Sequence, residues 1–190
     1  MPADKIFTTE DIIHYLNTDR HKGFVDRLAT ILKTKGFELT KLIDLTFHHD
    51  KQIAFRVAWL LDTMILENVL YYSDAIPYLT ARVKEVTNES CKRHYSRILF
   101  RLTEPKAPAA IKNIIQNIEM DEVVEQLFDW VIDPKVKVAV KVFAADTLYN
   151  LSTRYDWIND ELANQVEFMM RRGSAAIQSR GKKILALLQK

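Results

Sequence analysis

The sequence predicts an all-α protein, and three observations carry the prediction. Apolar residues recur at helical spacing in almost every segment, and no stretch shows sustained apolar/polar alternation bounded by turns. Only four glycines and five prolines interrupt 190 residues, so long loops and glycine-rich phosphate cradles are not expected. The chain is 48% hydrophobic, which suffices for one compact domain, 1–190, or a short repeat array without disulfides.

The elements follow in order. A first helix begins at Thr8, with Asp11 as its capping-box partner, and runs through Ile12, Ile13 and Leu16 to stop near Asn17. The turn Thr18-Asp19-Arg20-His21 follows. A second helix carries Phe24, Leu28, Ile31 and Leu32 and ends at Gly36 in a C-cap position. Then come 39–47 and the turn His48-His49-Asp50, with Asp50 as the N-cap of a helix over 51–66. On that helix Ile53, Ala54, Val57, Ala58, Leu60, Leu61, Met64 and Ile65 fill one broad apolar arc. Lys51, Gln52, Arg56, Asp62 and Thr63 lie opposite, with Phe55, Trp59 and Leu66 among them. Such a helix is covered on more than one side, and it organises the chain around itself.

Further helices are predicted over 74–86, with Pro77 in the first turn, and over 91–102. Residues 103–108 hold two prolines and form the clearest break, and Pro108 starts a helix over 109–118. Residues 121–132 form another, which Asp133-Pro134 ends while capping the next, at 136–151. Helices over 161–170 and 175–188 close the chain, separated by Gly173-Ser174.

The organisation is a helix, a short turn and a second helix, repeated. Arg56, Arg93, Lys141 and Arg180 recur in the second helices at separations of 37, 48 and 39 residues. A two-helix unit of about 40 residues is the HEAT period. From Phe37 to Leu188, and more loosely before it, the chain resembles the HEAT-like repeat family. That resemblance implies a short right-handed α-solenoid of about four to five antiparallel helix pairs, with the second helices side by side along a concave face. The competing architecture is a non-repeating helical bundle.

Cys91 is the lone cysteine, so an internal disulfide framework and a multi-Cys zinc site are excluded. No apolar run spans a bilayer, and the N-terminus lacks the basic and apolar regions of a signal peptide. A cytoplasmic protein with no membrane partner is expected.

Charge placement is the most informative functional feature. The second helices, 51–66, 90–102, 135–151 and 174–190, carry +1, +4, +2 and +4. The whole chain is only +2, which leaves −9 for everything else. On a solenoid this predicts a basic concave face built from Arg56, Arg93, Arg97, Arg101, Lys137, Lys141, Arg180 and Lys183, with Phe55 and Trp59 beside them. Arginines at four-residue spacing suit phosphate or carboxylate, because each guanidinium is a planar fork of donors. The alternative is a solvated face paired with acidic neighbours such as Glu85 and Glu89. The expected function is a non-catalytic binding module that holds an acidic protein segment or nucleic acid; a small structural adaptor in a larger assembly is a further alternative.

Asp62 with Trp59, and Arg93 or Arg97, also resembles the ingredient list of HEAT-like DNA alkylation-repair glycosylases. That resemblance implies an enzyme in which a carboxylate beside an aromatic wall stabilises a cationic sugar as the base leaves. Packing of Phe55 and Trp59 on the preceding helix pair is the structural alternative. His48-His49-Asp50 reads as a turn and N-cap, since no third ligand lies at helical spacing. His94 is expected to be solvated, and Cys91 to be a buried thiol. No Ser–His–Asp order, Walker loop or dinucleotide fingerprint is present, so no metal and no small-molecule cofactor are called for.

Overall fold

The Asp50 carboxylate accepts the backbone N–H groups of Gln52, at 2.8 Å, and Ile53, at 3.3 Å. This cap opens α4 (Lys51–Glu67). The computed structural model describes residues 7–18, 23–171 and 173–189, and the backbone alone of Ala176. Among these residues the secondary structure is eleven α-helices and two 3-10 turns, with no strand. They gather into two compact units, one ending at His94 and the other beginning at Tyr95.

The first unit holds α1 (Thr9–Thr18), α2 (Phe24–Thr34), α3 (Leu39–Leu45), α4, α5 (Ile76–Ala81) and the opening turns of α6 (Glu89–Thr103). The capping box forms: the Thr8 amide donates to Asp11 Oδ2 at 3.0 Å, and the Asp11 amide to Thr8 Oγ1 at 3.2 Å. The predicted turn after Thr18, including His21, lies outside the described residues. Gly23 and Gly36 flank α2 with φ of 80° and 62°, the left-handed region that glycine adopts without a Cβ penalty.

Helix α4 packs against α1, α2 and α3. All eight residues of its predicted apolar arc are buried, Val57 and Leu61 completely. Asp62, expected on the polar arc, is fully buried as well. The helix predicted over 74–86 is instead broken into a 3-10 turn (Ser73–Ala75), α5, and a second 3-10 turn (Val83–Glu85). The amides of Arg82, Glu85 and Val86 bond to carbonyls three residues back. Meanwhile Thr80 Oγ1 occupies the carbonyls of Ile76 and Pro77.

The second unit holds the rest of α6, α7 (Ala109–Asn117), α8 (Asp121–Ile132), α9 (Val138–Leu151), α10 (Trp157–Met170) and α11 (Ala175–Leu188). Helices α8 and α9 pack as one hairpin and α10 and α11 as another, with α9 against both members of the second. Gly181 of α11 lies close against α10, where a Cβ would meet the Met170 and Val166 side chains. Ile98 and Leu102 are fully buried, whereas Phe143 is only half-buried, its ring 5.7 Å from Phe100.

Two predicted starts move. Asp133 does not cap α9. Its Oδ1 accepts the Lys135 amide at 2.8 Å and its carbonyl the Val136 amide, closing a turn around Pro134, so α9 begins at Val138. Helix α10 begins at Trp157, ahead of the predicted 161, where the indole stacks on Phe128 at 5.5 Å.

Candidate interaction face

A cleft of about 990 Å³ opens in the first unit. One wall is the turn 46–50 and the first turns of α4, from Lys51 to Arg56; the other is the segment from Glu85 to Cys91. The walls are tied together: Asn88 Nδ2 donates to the Lys51 carbonyl at 3.2 Å, and Cys91 Sγ contacts the Thr46 carbonyl at 3.9 Å. Asn88 Oδ1 also accepts the Ser90 amide at 3.0 Å, closing the turn that opens α6.

The carboxylates in and beside the cleft, Glu85, Glu89 and Asp50, each hold a partner within the chain. The amides that Asp50 caps hold its pKa below the ordinary value. Glu85 pairs with Arg82, and Glu89 Oε1 pairs with Lys92 Nζ at 2.5 Å. Glu89 Oε2, however, is buried without a hydrogen-bond partner. Lys51 and Gln52 are exposed, and Phe55 is half-buried. Cys91 also lines the cleft, but burial pushes its thiol up to about 12, which makes it a poor nucleophile. His48 and His49 lie ring on ring at 4.1 Å, and His48 Nδ1 accepts the Asp50 amide. Among the described residues no group of three metal-type ligands exists.

Beside the cleft, His94 is not solvated as expected. It is half-buried, with Nδ1 2.8 Å from Asp62 Oδ2 and its ring 5.6 Å from Phe55. Trp59 is 40% exposed and meets Phe24 edge-on at 5.5 Å. Asp62 and Trp59 therefore differ in access: the carboxylate is in the interior and only the indole reaches solvent.

The cations predicted to line one face divide by what they hold. Arg56 Nη1 donates to the Leu16 carbonyl in the last turn of α1, with the guanidinium 5.5 Å from the Phe24 ring. Lys141 is 8% exposed and donates to the Val131 carbonyl, near the end of α8, at 2.8 Å. The last carbonyls of a helix lack intrahelical donors and sit at the negative end of its dipole, so a cation suits both needs. Arg154, which the sequence reading passed over, does the same for α7, reaching the carbonyls of Ile115 at 2.8 Å and Ile118 at 2.9 Å.

Arg180 forks onto Asp146, with Nε 2.8 Å from Oδ1 and Nη2 on Oδ2. Burial raises the Asp146 pKa, against the opposing pull of Arg180 and Lys183. Arg101 pairs with Glu104 at 2.7 Å. Arg93, Lys137 and Lys183 are exposed and Arg97 is half-buried.

Sequence reasoning took Glu89 only as an acidic neighbour of the arginines and gave no site role to Asn88 or Asp146. The i, i+3 spacing of Glu89 and Lys92 was a visible pairing signal. Burial of Asp146 was not visible, because its partner lies 34 residues away.

A family model described as HEAT repeat domain matches residues 12–188. No curated protein and no solved structure matches the chain.

Proposed function

The chain belongs to the HEAT repeat domain family, and on that premise we propose that it is a non-catalytic binding module whose N-terminal cleft holds an extended, acidic protein segment. Stacked helix pairs of this kind present extended surfaces to partners. The observation that carries the choice of partner is the mixed chemistry of the cleft wall. It offers an exposed ammonium at Lys51 and a half-buried aromatic ring at Phe55. A peptide can answer both, with a carboxylate and an apolar side chain. A phosphate backbone offers acceptors alone and answers only Lys51.

The cation inventory points the same way. Arg56, Lys141, Arg180 and Arg101 already hold groups within the chain. Nucleic-acid affinity rests on many phosphate contacts. The glycosylase alternative needs a carboxylate at the reacting sugar, and Asp62 is fully buried against His94.

The test compares two labelled probes at low salt, an acidic peptide with interspersed leucines and a short DNA duplex. The peptide is expected to bind, and Lys51→Glu and Phe55→Ser each to weaken it. If the duplex binds instead, with a log–log salt slope near −0.9 per phosphate contacted, the protein-partner reading fails.

A further inference from the structure

A second groove, of about 520 Å³, opens in the C-terminal unit between the C-terminal ends of α8 and α10 and the start of α11. Its rim is apolar and exposed: Ile132 at 52% and Phe168 at 66%. Single exposed apolar side chains are ordinary, but these two border the same groove.

The same groove is lined by a charge. Lys141 is 8% exposed, and its ammonium has three donors, of which the Val131 carbonyl takes one. Among the described residues it has no ion-pair partner, and Asp133 acts on it only through its field. Burial accordingly holds its pKa below the ordinary lysine value. A buried cation without a counter-ion is costly to maintain, and one helix carbonyl offsets only part of that cost.

We infer that this groove binds the free C-terminal carboxylate of a partner protein whose last residues are apolar. The carboxylate meets Lys141, and the apolar side chains cover Ile132 and Phe168. Arg171 on the rim strengthens the field for an anion. The groove is open, and its exposed rim suits an extended chain lying across the surface. This inference uses a different unit from the N-terminal cleft and stands independently of it.

The experiment titrates the full chain with a labelled peptide ending in Leu-Leu-Phe, as the free acid and as the C-terminal amide. The acid is expected to bind about tenfold more tightly, the size of a charge-assisted hydrogen bond. Lys141→Met is expected to fold, since replacing a buried charge by an apolar side chain is commonly tolerated. It should abolish the acid–amide difference, an effect that a merely structural lysine would not produce. Phe168→Ser, at an exposed position, should weaken acid and amide alike. Equal affinities for acid and amide, or no binding of either, overturn the inference. So does binding of decanoate with no binding of the peptide, because the occupant would then be a lipid.

Discussion

Replacing Arg180 by Met isolates one of the fastenings that took the place of an expected ligand contact. The Asp146 side chain is 9% exposed and that of Arg180 31%. Removing one partner of a buried pair costs about 3–5 kcal/mol. The partial exposure of Arg180 and the nearby charge of Lys183 put this case at the lower end, about 3 kcal/mol at neutral pH. The sign with pH follows from Asp146. Burial raises its pKa, and Arg180 opposes the rise. Without Arg180 the native state holds that proton more tightly still. The added penalty is therefore full above the folded pKa and fades as pH falls toward the unfolded value, about 3.9. Urea unfolding of wild type, Arg180→Met, Asp146→Asn and the double variant at neutral and acid pH gives the coupling energy. The double variant should recover most of the loss at neutral pH. A deficit below about 1 kcal/mol at neutral pH, or one that does not shrink on acidification, would refute the reasoning.

Three further outcomes are expected. Leu61→Ala should cost about 2–5 kcal/mol in the same assay, since Leu61 is fully buried; a cost below about half of one kcal/mol would show that α4 faces another way. Asp50→Ala should lower stability through the lost cap of α4, while Asp50→Ser should lower it less. Cys91 should react with a disulfide reagent at pH 8 only as fast as the protein opens, because its thiol is pushed up to about 12 and buried; rapid labelling of the native protein would contradict that placement.

The fold was largely legible because helix signals are local. The Thr8–Asp11 box, the Asp50 cap and the eight-residue apolar arc of α4 each depend on residues within a turn or two of one another. Errors came where local signals compete. Asp133-Pro134 reads equally as a helix start and as a side-chain turn, and the Lys135 amide decided it. The interaction face was legible only in part. Recurrence of Arg56, Arg93, Lys141 and Arg180 in the second helices suggested a shared role on one basic face. Whether that role faces outward or inward depends on carbonyls and carboxylates tens of residues away, such as Leu16 and Asp146. His94 shows the same limit: its burial follows from Asp62, 32 residues earlier.

The most direct measurement of the account is an amide chemical-shift map of the full chain as the acidic, leucine-bearing peptide is added. The account predicts the largest shifts at 51–56 and 85–91, the two walls of the N-terminal cleft. Shifts concentrated instead at 97–101, 137–143 and 180–183, with the cleft unmoved, would contradict it and return the function to the basic residues of the later helices.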